Sequence, residues 1–218
     1  MNASQLTFKE TLLKGLKELG LRLEAEAITG LLRYFSLLKE FSEPLGLTAL
    51  KDPKEIAVKH FLDSLTILPH LPEGPLLDLG TGAGFPGMVV KIARPEKEVW
   101  LVDSRKRPIS FLTYVVGILG LKNIKIVKAT VGKNDKLPRK YFSCVTSRAV
   151  TELTSLWELG RPLLAEKGIL LAMKGPKGPE EIPKLKEKHP EITCEVKELR
   201  LPITKEPRTL ILVRESPS

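Results

Sequence analysis

One stretch constrains this chain more than any other: Leu76-Leu77-Asp78-Leu79-Gly80-Thr81-Gly82-Ala83-Gly84-Phe85-Pro86-Gly87. The apolar run between Pro75 and Gly80 reads as a short buried strand. Glycines then stand at 80, 82 and 84, and Pro86 suits the first turn of a helix over residues 88–93. Glycines there give a tight turn and let a ligand lie against bare backbone, at the crevice where such sheets bind ligands. A plain strand-to-helix turn rarely needs three of them.

Two ligand classes fit the spacing. Gly82-x-Gly84-x-x-Gly87 matches the dinucleotide fingerprint, and Asp103 sits at the distance expected of a ribose-binding acid. In that fingerprint, however, the first glycine closes the strand directly. Here Asp78 stands two positions before Gly80, giving Asp-x-Gly-x-Gly-x-Gly, which resembles the first motif of S-adenosylmethionine-dependent methyltransferases with a Rossmann-like fold. A helix N-terminus favours phosphate, and a sulfonium ligand has none to place there. An acid beside the turn therefore suits a zwitterionic amino-acid ligand, with Asp78, Gly80, Gly82, Gly84 and Phe85 around it.

The pattern before the turn is helical. Leu12, Leu13, Leu16 and Leu19 share one stripe, Gly20 stops it, and Ile28, Leu31, Leu32, Phe35 and Leu38 form a second. A third helix is expected over residues 55–68, with His60 and Ser64 on one face. After the turn the pattern alternates. Strands are expected at 99–102, 124–127, 142–146, 169–173, 193–200 and 209–214, with helices at 109–119, 153–164 and up to His189. This predicts an α/β chain: a mostly parallel seven-stranded sheet with helices on both faces, preceded by an N-terminal helical segment. Residues 1–72 would be that segment and 73–218 the ligand-binding domain.

Charge narrows the partner. Residues 1–88 carry 9 basic and 11 acidic groups, whereas residues 89–148 carry 14 and 4, so the middle of the chain holds the whole excess behind a net charge of +9. A heat-tolerant surface would add both signs. A one-sign excess near a ligand turn points to a polyanion, nucleic acid first, with Arg105, Lys106, Arg107, Lys122, Lys125 and Lys128 as phosphate contacts. Cys144 and Cys194 show no metal-ligand spacing, so reduced thiols, no metal and a cytosolic compartment are expected. The sequence shows neither a signal-peptide pattern nor an apolar run of membrane-spanning length.

In such a sheet the carboxyl ends of the strands line one crevice. Gly80 to Gly84 follow the first strand, Asp103-Ser104 the second, Ala129-Thr130 the third, Ser147-Arg148-Ala149 the fourth and Lys174-Gly175 the fifth. Asp103 can accept from both hydroxyls of a ribose diol, and Arg148 and Lys174 would project into the same crevice. Together with Arg94-Pro95, Phe111-Leu112, Met173, Leu47-Thr48 and His60-Phe61-Leu62-Asp63-Ser64, these motifs resemble the bacterial RsmG (GidB) family. The resemblance runs from about residue 10 to the C-terminus.

That resemblance implies methylation of guanine N7 in 16S ribosomal RNA, free or in the small ribosomal subunit particle, by a cytoplasmic enzyme, expected to be a monomer, using S-adenosylmethionine. It puts Gly80, Gly82, Gly84, Asp103, Ser104, Ala129 and Thr130 around the donor, and Asp78, Phe85 and Arg148 are expected beside them. It makes Arg148 and Lys174 the substrate-positioning residues, and sets His60 and Asp63 on the helix beneath. The chain departs from the family pattern after the third strand, where Ala129-Thr130-Val131-Gly132-Lys133 lacks the usual acid. Gly46 replaces the usual Asn before Leu-Thr, and Lys106-Arg107-Pro108 shifts a basic pair. N7 carries no proton at neutral pH, so transfer to it is a positioning task and needs no general base. A nicotinamide-dependent oxidoreductase and a cofactor-free RNA-binding module remain the alternatives that the residues themselves allow.

Overall fold

Leucine stripes at helical spacing build the first layer in the computed structural model, which describes every residue except 131, 133–136, 149–150 and 217–218. α1 (Ala3–Glu18) starts at an Asn2–Gln5 capping box, and α2 (Ala25–Leu45) ends on Gly46 in the left-handed region, φ 61°. The third helix is expected as one piece over 55–68 but is composite. α3 (Pro53–Ile56) runs into a π-helical turn, Ala57–Leu62, then α4 (Asp63–Leu65). Pro69 closes it in a 3-10 turn, Leu68–His70, because proline cannot donate to a continuing helix.

From β1 (Leu76–Leu79) the chain winds through α5 (Gly87–Ala93), β2 (Val99–Asp103), α6 (Lys106–Leu119), β3 (Ile124–Lys128) and β4 (Phe142–Arg148). Then come α7 (Leu153–Gly160), β5 (Leu164–Lys174), α8 (Ile182–Lys188), β6 (Ile192–Arg200) and β7 (Pro207–Glu215). The seven strands lie in the order β3-β2-β1-β4-β5-β7-β6. β1 to β5 pair in parallel, and β7 runs antiparallel to both neighbours. α7 stops at Gly160 and β5 begins at Leu164, earlier than the apolar pattern suggests, because Pro162 opens a 3-10 turn between them.

Side chains alternate across the strands and divide between two cores. Leu76, Val99, Leu101 and Leu171 pack with α1, α2, the third helix, α5 and α6. Leu77, Trp100, Val102, Val145 and Leu170 pack with α7 and α8 on the other face. The N-terminal helices thus share a core with the sheet and lie over the turn after β1. Both cysteines are free thiols, and no described helix is long and apolar enough to cross a membrane.

Candidate functional site

The turn after β1 is held from below. Gly80 N and Thr81 N donate to the Val102 carbonyl oxygen at 2.9 and 3.0 Å, fixing the turn against β2. Asp78 alternates with Leu77 and Leu79, so its carboxylate points to the α5 face and is fully buried. Its Oδ2 accepts from Thr81 Oγ1 at 2.6 Å and from Gly87 N at 2.8 Å, while Oδ1 has no partner among the described residues. Burial pushes its pKa up to about 6 against those two hydrogen bonds. This corrects the expectation that Asp78 faces the ligand: it staples strand to helix and shapes the turn from inside.

The glycines divide the same way. A Cβ on Gly84 (φ 100°) would stand 2.6 Å from the Tyr34 hydroxyl and 2.8 Å from Met88 Cβ. Gly84 is therefore dictated by packing, not by bare backbone for a ligand, which corrects its assignment. Gly87 is closed too, with Leu101 Cδ2 2.3 Å from its would-be Cβ. Gly82 (φ 56°) is open, for a Cβ there would meet only the tip of Arg105 at 3.6 Å. Gly80 and Gly82 are partly exposed and form the open part of the turn.

Across Gly82 lies Asp103, at the end of β2. Its Oδ2 accepts from Gly82 N at 2.9 Å, and its Oδ1 from Arg105 N at 2.9 Å. The Arg105 guanidinium covers both oxygens, Nε to Oδ1 and Nη2 to Oδ2, each at 3.0 Å. Burial would raise the Asp103 pKa, but the Arg105 and Gly82 hydrogen bonds outweigh it and hold the carboxyl below its ordinary value. Ser104 and Thr130 are exposed beside it, and buried Ala129 donates its N–H to the Asp103 carbonyl at 3.2 Å. Val131 and Lys133, within the segment that lacks the family acid, lie outside the described residues, as does Ala149.

Phe85 is not at the surface. It is 4% exposed, stacked on His60 with ring centroids 4.6 Å apart, and lies against Phe61 and Tyr34. Its expected contact with a ligand is corrected to a contact with His60 and Arg148. The Arg148 guanidinium rests 5.2 Å from the Phe85 centroid and is anchored rather than free. Nη1 donates to the Lys59 carbonyl at 2.8 Å, in the π-helical turn, and lies 3.4 Å from Asp63 Oδ2. Nη2 faces His60 Nδ1 at 3.3 Å.

His60 Nδ1 lies 3.3 Å from both Arg148 Nη2, which only donates, and the Lys59 carbonyl, which only accepts, while Nε2 shares a hydrogen bond with Thr48 Oγ1 at 2.7 Å. Burial, then the Arg148 charge, hold the His60 pKa at about 4. Arg208 approaches Asp63 Oδ1 at 3.5 Å from β7. Arg148 keeps 20% of its side chain exposed, and Thr48 and His60 are likewise partly exposed.

Lys174 is a further correction. Its Nζ donates to the Thr151 carbonyl at 2.6 Å and to both oxygens of Glu181 at 3.0 and 2.9 Å, with 11% of the side chain exposed. An ammonium has three hydrogens, and all three are spent within the protein. Glu181 also accepts from Leu153 N, so Lys174 clamps the start of α7 to the 3-10 turn Gly178–Glu181.

The basic residues also separate. Arg105, Lys106, Arg107 and Lys128 are exposed at the crevice end, Lys128 in register with Asp103. Lys122 precedes β3 at the opposite end of a strand roughly 13 Å long. Lys125 lies over the Trp100 ring, 4.1 Å from its centroid. Sequence reasoning missed Tyr34, which donates from α2 to the Ala83 carbonyl inside the turn. The signal was a hydroxyl-bearing residue within an apolar stripe that also holds Leu31, Phe35 and Leu38.

The donor set suits a nucleoside bearing an amino-acid end: an open glycine face, a strand-end carboxylate, and polar Ser104 and Thr130 beside it. Solved structures share this fold. The fold matches a tRNA (m1A58) methyltransferase, TrmI, from Aquifex aeolicus, with a TM-score of 0.56 at 17% identity over 72% of this chain and 69% of that one. It matches a SAM-dependent methyltransferase from Aquifex aeolicus at 0.53, with 21% identity over 78% and 98%. The chain has the Rossmann-like fold of class I methyltransferases.

Sequence relatives carry the assignment further. The family model GidB, rRNA small subunit methyltransferase G, matches residues 27–211. Ribosomal RNA small subunit methyltransferase G of Acinetobacter baumannii is 43% identical over 208 residues, 95% of this chain and 98% of its own length. The Pelotomaculum thermopropionicum enzyme of that name is 40% identical over 214 residues, 94% and 90%. The chain belongs to the GidB family.

Proposed function

We propose that this protein transfers a methyl group from S-adenosylmethionine to N7 of a guanine in 16S ribosomal RNA, acting in the cytoplasm as a monomer. The observation that carries the reading is the juxtaposition at the β1–β2 crevice. An open Gly80–Gly82 turn and the Asp103 carboxylate stand beside a rim of Arg105, Lys106, Arg107 and Lys128. Asp103 takes the ribose diol, Gly80 and Gly82 give room for the amino-acid end, and Ser104, Ala129 and Thr130 border the base. Residues 73–218 carry this transferase domain. Residues 1–72 pack on it and bring Tyr34, Thr48 and His60 to the site.

The bound donor supplies an electrophilic sulfonium methyl. The protein's work is to hold guanine in line with it in a water-poor site, which is a matter of position. A histidine with a pKa near 4 is a feeble proton acceptor, and such a site suits an acceptor atom with no proton to lose. Arg148, anchored by Lys59 and Asp63 and partly exposed, offers its remaining hydrogens to guanine O6. Thr48 and His60 form the wall next to it. In a regular A-form helix guanine N7 lies in a deep, narrow major groove that side chains do not reach, so the target is an unstacked nucleotide.

Calorimetry with S-adenosylmethionine against NAD(H), followed by methyl transfer to 16S ribosomal RNA and to small-subunit particles, tests the proposal. Donor binding without NAD(H) binding is expected, as is a steep loss of RNA affinity with salt from several phosphate contacts. NAD(H) binding, or transfer to an exocyclic amine in place of N7, would overturn it.

A further inference from the structure

Asp103 is saturated. A carboxylate offers about four lone-pair sites, and four donors fill them here: Gly82 N, Arg105 N, Arg105 Nε and Arg105 Nη2, at 2.9 to 3.0 Å. Two come from backbone that shapes the strand ends. The other two are one guanidinium, set in the bidentate fork that a carboxylate favours. A ribose diol presents two adjacent hydroxyl donors, and it needs the two sites that the guanidinium holds.

The cover is also the exposed part. Asp103 is 4% exposed, yet the Arg105 side chain over it is 66% exposed, so rotating one side chain uncovers the carboxylate. The same guanidinium lies 3.6 Å from where a Gly82 Cβ would stand. It therefore spans the open face of the turn as well as the acid. Arg105 leads into α6 beside exposed Lys106 and Arg107, with Lys128 one strand away. A guanidinium released from Asp103 enters the most basic part of the crevice rim.

We propose that Arg105 stands in for the donor's ribose on Asp103, and that donor binding hands its guanidinium to an RNA phosphate, so that donor and RNA bind with positive coupling. The proposal rests on the methyltransferase reading above and adds an order to it: the loaded protein is the form that grips RNA. Coupling of this kind is reciprocal, so RNA must strengthen donor binding by the same factor. Water screens the pair from its exposed Arg105 end, and the competition it imposes is correspondingly modest, about two- to fivefold.

The probe is S-adenosylhomocysteine, titrated by calorimetry into the wild type, Arg105→Met and Asp103→Asn, with a 16S ribosomal RNA transcript bound in parallel with and without it. Met keeps the aliphatic stem and removes the fork. Arg105→Met should bind S-adenosylhomocysteine about two- to fivefold more tightly. In the wild type S-adenosylhomocysteine should raise RNA affinity by a similar factor and steepen the log–log salt slope by about 1. Arg105→Met should lose both effects. Unchanged or weaker binding in Arg105→Met, with weaker binding in Asp103→Asn, would overturn the competition and leave the ribose assignment standing. Unchanged binding in both variants would overturn the ribose assignment and the competition together. Intact coupling in Arg105→Met would overturn the transfer of its guanidinium to RNA.

Discussion

Alanine at Gly84 and alanine at Gly82 should fail in opposite ways. Gly84 has φ 100°, outside the range an L-residue enters freely, and left-handed backbone costs a non-glycine residue about 1–2 kcal/mol. Its new methyl would lie 2.6 Å from the Tyr34 hydroxyl, 2.8 Å from Met88 Cβ and 2.9 Å from Leu112 Cδ2. Met88 Cβ is tied to the α5 backbone and cannot rotate away, so overpacking adds about 1–3 kcal/mol. Gly84→Ala should lose about 2–5 kcal/mol, equivalent to roughly 5–20 °C in Tm for a chain of this size. At Gly82 only the exposed tip of Arg105 is near, so Gly82→Ala costs about 1 kcal/mol in stability. Its methyl stands in the ligand-facing part of the turn, and donor affinity should fall about tenfold or more. Urea unfolding and calorimetry with S-adenosylhomocysteine separate the two. A stably folded Gly84→Ala with lost donor binding would refute the packing argument, as would equal destabilisation at both sites.

Three further outcomes follow from buried polar groups. Lys174→Met should cost about 1–3 kcal/mol by unfolding, because Glu181 and the Thr151 carbonyl lose a half-buried partner; transfer by the folded variant should persist, and its abolition with donor affinity intact would return Lys174 to the substrate. Asp78 keeps a proton up to a pKa of about 6 when folded, against about 3.9 unfolded. Its contribution is therefore present at low pH and is lost as pH rises from about 4 to 6, by ~3 kcal/mol. Asp78→Asn should flatten that part of the stability–pH curve, and an unchanged slope in urea unfolding would remove Asp78 as its source. Tyr34→Phe leaves the Ala83 carbonyl without the hydroxyl, so stability should fall by about 1–3 kcal/mol; an unchanged unfolding midpoint would show that the bond contributes nothing.

The sheet and its crevice were legible because strand, glycine turn and helix each leave a local signature. The apolar run at 76–79 and the glycines at 80 to 84 are read within a few residues of one another, and the acid at 103 follows at about the 20-residue spacing of a ribose-binding acid. What the sequence did not disclose is which side of a residue faces the crevice. Asp78 and Asp103 look alike as strand-end acids, but Asp78 sits one position before the strand's last residue and points under α5. Gly82 and Gly84 look alike too, and what distinguishes them is the arrival of Tyr34 from α2 and Leu112 from α6, with Met88, around Gly84. Lys174 was misplaced because its partners Thr151 and Glu181 are distant in sequence and carry no motif. The π-helical turn that frees the Lys59 carbonyl for Arg148 has no signal in a Lys-His-Phe-Leu segment.

Charge arrangement around Phe85 ties these residues to the proposed reaction. Methyl transfer from a sulfonium to N7 moves a positive charge from sulfur onto the guanine ring. A lone arginine beside that ring would oppose the step, most strongly where water is excluded. Arg148 is not alone: Asp63 lies 3.4 Å from it and accepts Arg208 on its other oxygen at 3.5 Å, while Glu206 lies 3.3 Å from Arg208. Lys59 joins them, 3.3 Å from Glu206 and 3.0 Å from Glu55, so three cations and three carboxylates leave the group without net charge, and the proposed Arg148 contact would offer directed hydrogens without a net opposing field. The neutral imidazole of His60 obeys the same constraint, since burial and Arg148 together keep it uncharged. A histidine of ordinary pKa would add a cation at mildly acid pH where the product's own charge must form. The third helix and β7, which look peripheral in the chain, are the elements that bring these compensating groups to the site.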